Sequence, residues 1–181
     1  MKTAEHPTIK IPGAVAFVSD DGTGSAIFSE NKTFRYFLGR NWSPLQEPKW
    51  VCYIGSNPST ANHETDDMTI KKEIGFGKKL GYTGLLKVNL GALVSTDPAG
   101  LLRAADCMGP HNLLAIKAAV ELASLVVVAW GGLDNRVWAK FRESVELVKA
   151  LKGVKCLGRT KTGAPHHTSR LGYKAQLEDW P

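Results

Sequence analysis

Residues Trp50 to Thr60 read Trp-Val-Cys-Tyr-Ile-Gly-Ser-Asn-Pro-Ser-Thr, and this stretch decides the fold. Trp50 to Ile54 is a short apolar run rich in β-formers. It stops abruptly at Gly55-Ser56-Asn57-Pro58-Ser59-Thr60. A few apolar residues closed by turn chemistry read as a buried parallel strand. Ligands of α/β sheets bind at the carboxyl ends of strands, so the turn after this strand is the first place to look for a site.

Downstream, the pattern recurs. Gly84 to Leu90 reads as a second core strand, Leu125 to Trp130 as a third that ends in Gly131-Gly132, and Val154 to Leu157 as a fourth. Helical periodicity fills the intervals. Thr69 to Leu80 puts Ile70, Ile74 and Leu80 near one face, with Gly81 as its stop. Asp97-Pro98 opens a short helix over 98–106, with Asp as N-cap and Pro at the first helical position. His111 to Ala123 is a further helix, and Asn135 to Leu151 another, with Val137, Phe141, Val145 and Val148 on one side. Strand alternating with helix predicts a parallel sheet, helices on both faces and right-handed crossovers.

Upstream, residues 1–12 are polar with Pro7 and Pro12 and read as a loose lead-in. Ala14 to Val18 and Ser25 to Phe28 flank the turn cluster Asp20-Asp21-Gly22-Thr23-Gly24, which predicts an antiparallel hairpin. Thr33 to Trp42 mixes aromatics with Arg35 and Arg40. It reads as a cover over the sheet edge, or else as a basic, aromatic surface beside the site.

The totals bound the class. A chain of 181 residues suffices for one compact α/β domain, and 43% hydrophobic with 22% charged residues is ordinary for a globular protein. The longest apolar runs, such as Leu122 to Trp130, are too short to span a bilayer, and the N-terminus has no apolar signal region. Cys52, Cys107 and Cys156 form no CxxC pair and no zinc pattern. A cytoplasmic protein without disulfides, metal or cofactor is the expectation. The net charge of +6 and a pI near 9.3 bias the chain towards anionic partners, DNA or a nucleotide. The glycines make no GxGxxG after a strand and there is no GxxxxGK[ST], which argues against nicotinamide and P-loop chemistry.

Distinctive residues sit at all four strand ends: Asn57-Pro58-Ser59, Asn89, Trp130-Gly131, and Pro165-His166-His167-Thr168-Ser169. In a parallel sheet they converge on one edge. Singly, each reads as ordinary turn chemistry.

Several blocks carry a resemblance: RYFLGRNW, IGSNPSTAN followed by ETDDMTI, LLKVNLGALVSTDP, GPHN, AWGG and GRTKTGAPHH. Over these, from about Phe34 to Leu171, the chain resembles the family called domain of unknown function 1643. More remotely, the blocks resemble the uracil-DNA glycosylase superfamily in the same order. Gly55 to Thr60 is similar to that superfamily's first motif, GQDPYH or GINPG. Leu85 to Leu93 is similar to its LLLN strand, with Asn89 in the Asn place. Val127 to Gly131 is similar to LLWG, and Pro165 to Leu171 to a degraded HPSPLS loop.

The resemblance implies a three-layer α/β/α fold with a central, mostly parallel sheet, here with the N-terminal hairpin added, as one domain over 1–181. It also implies roles. Asn57 orients a water, Asn89 reads the Watson–Crick edge of an extruded base, and His166 holds the charge leaving with the base, with His167 as the alternative. Gly55, Pro58, Ser59, Thr60, His167, Thr168, Ser169 and Arg170 line the substrate, hydroxyls and amides gripping phosphate and Arg170 or Lys161 adding charge. Trp130 packs beneath the last loop. No aromatic residue follows Pro58, so exclusion of a 5-methyl group is not implied. The block Glu64-Thr65-Asp66-Asp67 has no counterpart in the superfamily. Asp67 reads as the N-cap of the following helix, and Asp66 as a candidate catalytic acid or base.

The expected function is a glycosylase-like hydrolase of the N-glycosidic bond of a base in DNA or of a modified nucleotide. The alternatives are a non-catalytic nucleic-acid or nucleotide-binding module of the same fold, and a nucleobase-modifying transferase.

Overall fold

The computed structural model describes residues 9–43 and 47–181, so the lead-in expected over residues 1–8 lies outside the described residues. The strands are β1 (Ala14–Val18), β2 (Gly24–Ser29), β3 (Arg35–Asn41), β4 (Trp50–Gly55), β5 (Gly84–Asn89), β6 (Leu125–Val128), β7 (Lys155–Cys156) and β8 (Glu178–Asp179). The helices are α1 (Met68–Lys79), α2 (Pro98–Arg103), α3 (Asn112–Leu122), α4 (Asn135–Lys140) and α5 (Arg142–Lys149). One sheet runs in the order β1-β2-β3-β5-β4-β6-β7-β8.

The four expected core strands β5-β4-β6-β7 are neighbours and pair in parallel. The sheet as a whole is not mostly parallel, which corrects the expectation. The pairs β1–β2, β2–β3, β3–β5 and β7–β8 are antiparallel, four of the seven pairings. The hairpin of β1 and β2 is present in the expected place. The difference comes from β3. The segment Thr33 to Trp42 does not cover the sheet edge. Its centre is a buried strand between β2 and β5. Two arginines and a glycine disguise it, because the arginines find partners outside the strand. Arg35 donates to the Ala61 carbonyl at 2.7 Å, and Arg40 to the Asp66 carboxylate at 2.8 Å.

Side-chain alternation along the central strands builds two cores. Cys52, Ile54, Leu86, Val88 and Val128 face one side, where they meet Ala115, Ile116 and Ala119 of α3 with Val145 and Val148 of α5. Val51, Tyr53, Leu85 and Val127 face the other, where they meet Ile70 and Phe76 of α1. Helices therefore cover both faces. All three cysteines are buried free thiols.

The helix caps follow the sequence. Asp67 accepts from the Ile70 amide at the start of α1, and Asp97 accepts from the Ala99 amide before Pro98. The run expected as one helix over 135–151 breaks at Phe141, whose backbone (φ −97, ψ 11) separates α4 from α5. Phe141 is fully buried, and its ring occupies the space a side chain at Gly91 would need. No described helix is long and apolar enough to cross a membrane.

Candidate functional site

From β4 the chain crosses to β5 on one side and later to β6 on the other, so β4 is a switch point of the parallel strands. Ligands bind beyond the carboxyl ends of strands at such points. A pocket of about 240 Å³ lies there. Gly55, Ser56, Asn57 and Ser59 line it from β4, Asn89 from β5 and His167 from the last loop. Gly55 and Asn89 are register partners, and a Cβ on Gly55 would fall 2.8 Å from both the Asn89 Oδ1 and the Lys87 Nζ. Glycine at this strand end therefore lets two β5 side chains reach the pocket.

The turn is held from several directions. Leu90 donates to the Gly55 carbonyl and Gly91 to the Ser56 carbonyl, both at 2.9 Å, extending the parallel ladder past β5. The buried Asn112 donates to the Asn89 and Leu90 carbonyls at 3.0 and 2.9 Å, which gives the GPHN block a structural role. Asn57 spends both amide hydrogens on the Pro58 and Ser95 carbonyls, at 2.9 and 2.8 Å. Its Oδ1 is thus an acceptor with no intramolecular donor assigned to it. The Asn89 Oδ1 is buried and unpartnered. An unsatisfied buried oxygen costs stability unless a ligand or water meets it.

Below the pocket is a charged floor. Lys87 of β5 and Glu73 of α1 are buried and form an ion pair at 2.6 Å, and the Thr168 hydroxyl donates to the same carboxylate oxygen at 3.1 Å. The second Glu73 oxygen has no partner. Burial pushes the Glu73 carboxyl up, with the Lys87 charge opposing it. Arg35 also lines the pocket, and burial lowers its guanidinium to about 10, still cationic at neutral pH.

His167 is the pocket's imidazole. Burial, then the Lys87 and Arg170 charges, lowers it to about 4, so the ring is neutral at pH 7. Its Nδ1 accepts from the Ser169 amide at 3.3 Å and lies 2.8 Å from the Ser169 hydroxyl. That leaves the ring proton on Nε2, a neutral hydrogen-bond donor.

The structure brings together Gly55, Asn57, Ser59, Asn89 and His167 from the residues singled out in sequence. Pro58 is buried behind them, its carbonyl accepting from Ser95 at 3.0 Å, and Thr60 is exposed on the rim of the next pocket. Thr168 and Ser169 act on Glu73 and His167 rather than lining the pocket. His166 lies outside the lining with its ring against Gly158, and Arg170 is exposed. Asp66 is engaged by Arg40, whereas Asp67 lines the pocket and caps α1 with one oxygen. Trp130 is buried against Trp138 and Trp180.

Sequence reasoning missed Glu73 and Lys87, and named Arg35 only within a segment with an alternative reading as a basic surface beside the site. One sign was available: a lysine inside the apolar run Leu85-Leu86-Lys87-Val88 demands a buried anionic partner. Among the described residues, no three His, Cys, Asp or Glu side chains gather as a metal ion would need.

A family profile described as a protein of unknown function, DUF1643, matches residues 35–168, and the chain belongs to that family. The match runs from Arg35 in the pocket to Thr168 on its floor. No curated protein and no solved structure matches the chain.

Proposed function

We propose that this member of the DUF1643 family is a glycosylase-like hydrolase, cleaving the N-glycosidic bond of a base in DNA or of a modified nucleotide. One observation carries the reading: Asn57, Asn89 and a neutral His167 converge on one polar pocket at the ends of β4 and β5. The reading takes the four parallel strands as the glycosylase-like part of the sheet, with β1–β3 and β8 as additions.

Each group has a task in this chemistry. Asn89 offers an amide to the Watson–Crick edge of a base extruded from the stack. The Asn57 Oδ1 accepts a hydrogen bond from the attacking water. As an amide it orients that water without deprotonating it. Asp67 brings a carboxylate to the same pocket, with one oxygen on the α1 cap and the other to take the water's proton. The His167 Nε2–H donates to the oxygen on which negative charge collects as the base departs. A neutral donor suits this step, because it does not hand over a proton before the bond breaks. Arg35 adds positive potential beneath the leaving group, where Lys87 is balanced by Glu73.

The test is direct. Purified protein is incubated with oligonucleotides carrying uracil, hypoxanthine, mismatched thymine or modified pyrimidines, then treated with alkali to cut abasic sites. Turnover on at least one substrate is expected, and His167→Ala should lower it roughly 100- to 1,000-fold, the usual loss for a donor to developing charge. No abasic product on any substrate, beside a working control enzyme, counts against the reading.

One observation favours a second reading, a non-catalytic nucleotide-binding module. Both Asn57 amide hydrogens are spent on backbone carbonyls, a bracing role that a turn needs whatever the reaction. Nucleotide binding that survives Asn57→Ala, with no turnover by the unmodified chain, would select it.

A further inference from the structure

A second pocket, about 640 Å³, adjoins the polar one and shares Ser59, Ser95 and Thr96 with it. The two differ in chemistry. Among the described residues, no Phe, Tyr or Trp lines the polar pocket. The larger one is floored by Phe17, Phe28 and His63. Phe17 and His63 stack at 5.2 Å and 27°, while Phe28 meets Phe17 edge-on at 6.0 Å. Lys32 holds its ammonium 4.9 Å from the Phe17 ring centre. It does so from the turn between β2 and β3 with φ 57, the single positive-φ residue other than glycine among the described residues. A lysine in a conformation that favours glycine is an outlier that points to a role for its side chain. The His63 Nδ1 is buried without a partner.

We infer that this aromatic pocket binds the nucleotide next to the reacting one, so that the substrate is a single-stranded stretch of nucleic acid rather than a free nucleotide. The inference rests on the glycosylase reading of the polar pocket. A neighbouring base stacks on the Phe17–His63 pair, where any base serves because every base has a π-face. Lys32 leaves the ring for the phosphate between the two nucleotides. The Ser59 hydroxyl, common to both pockets, lies along the sugar–phosphate path and donates to it. The volume suits one nucleotide, since pockets for small ligands span about 300–1,000 Å³. Asp97 also lines this pocket, but its carboxylate is engaged by the Ala99 amide at 2.9 Å and by Arg103 at 3.0 Å. Its charge is thereby offset before it meets a phosphate.

The experiment measures affinity for a fluorescent single-stranded trinucleotide and for the matching mononucleotide, at several salt concentrations. The unmodified chain should prefer the trinucleotide. Phe17→Leu, which keeps apolar packing but removes the flat face, should shrink that preference about tenfold. Lys32→Gly should weaken trinucleotide binding and lower the slope of log affinity against log salt by about 0.7, one phosphate contact on a single strand. This variant also guards against misfolding, because glycine takes φ 57 without strain and the fold should keep or gain stability. Equal affinity for trinucleotide and mononucleotide would overturn the inference. So would an unchanged preference and salt slope in both variants while Asn89→Ala abolishes binding, and in that case the polar-pocket reading would stand. No binding of either probe by the unmodified chain would overturn both.

Discussion

The Lys87–Glu73 pair shows how a single residue ties stability to the site. Both side chains are buried, and each is the other's counter-charge. Lys87→Met should cost about 3–5 kcal/mol by leaving Glu73 buried and unpaired. The double variant Lys87→Met with Glu73→Leu should recover most of that loss, as read from urea denaturation midpoints. His167 supplies the pH dependence. Its folded pKa, about 4, lies below the ordinary 6.5. Between these values the unfolded chain binds the extra proton, so stability is full above pH 6.5 and falls as the pH drops towards 4. Thermal melts across that window should show the fall, and His167→Gln should remove this component. Glu73 works in the opposite sense: a raised carboxyl pKa gives stability that is full at low pH and lost as the pH rises through the folded value. At this scale the sequence was partly legible. Asn57 and Asn89 stood out because they sit at the ends of two strands that a parallel sheet brings to one edge. Arg35 was legible only as part of a segment that could flank the site, because its pocket partners lie far along the chain, and the choice between His166 and His167 depends on loop geometry that adjacent identical residues do not reveal.

Among elements, α1 joins structure to chemistry through one side chain. Asp67 caps the helix and also presents its carboxylate to the pocket. Asp67→Asn keeps an acceptor for the Ile70 amide and should change stability by less than about 0.5 kcal/mol, asparagine being as good an N-cap as aspartate. The same variant should sharply lower hydrolysis if Asp67 takes the water's proton, so a denaturation curve and an abasic-site assay together separate the two roles. At the α4–α5 break, the Phe141 ring packs over Gly91. A Cβ on Gly91 would overlap the Phe141 ring and come 2.6 Å from the Cys107 carbonyl. Gly91→Ala should therefore destabilise by roughly 1–3 kcal/mol or more, in the range of an overpacked core. The helices over 112–122 and 68–79 were legible because 3.6-residue periodicity is local, as is the Asp67 cap of the second. The break at Phe141 was not, because helical periodicity continues across it.

The whole molecule is a sheet whose edges are managed. β8 adds an antiparallel strand outside β7, with Lys155–Asp179 at 2.6 Å and Arg159–Glu178 at 2.8 Å across the pair. Trp180 packs against Trp130 at 5.1 Å between ring centres. Removing residues 176–181 would bare the β7 edge, and an exposed edge recruits other strands. The truncated chain should self-associate more than the full chain in light-scattering chromatography. By itself, the sequence determined the four parallel strands, the helices between them, the hairpin and the turn at Gly55 to Thr60, because these depend on local periodicity, caps and turn residues. Only the tertiary structure decided that β3 lies inside the sheet, that the tail returns as β8, and that Glu73 and Lys87 share a floor beneath Asn89. Strand order and the pairing of buried charges rest on contacts between residues distant in the chain, and local sequence chemistry carries no record of which distant partner will meet them.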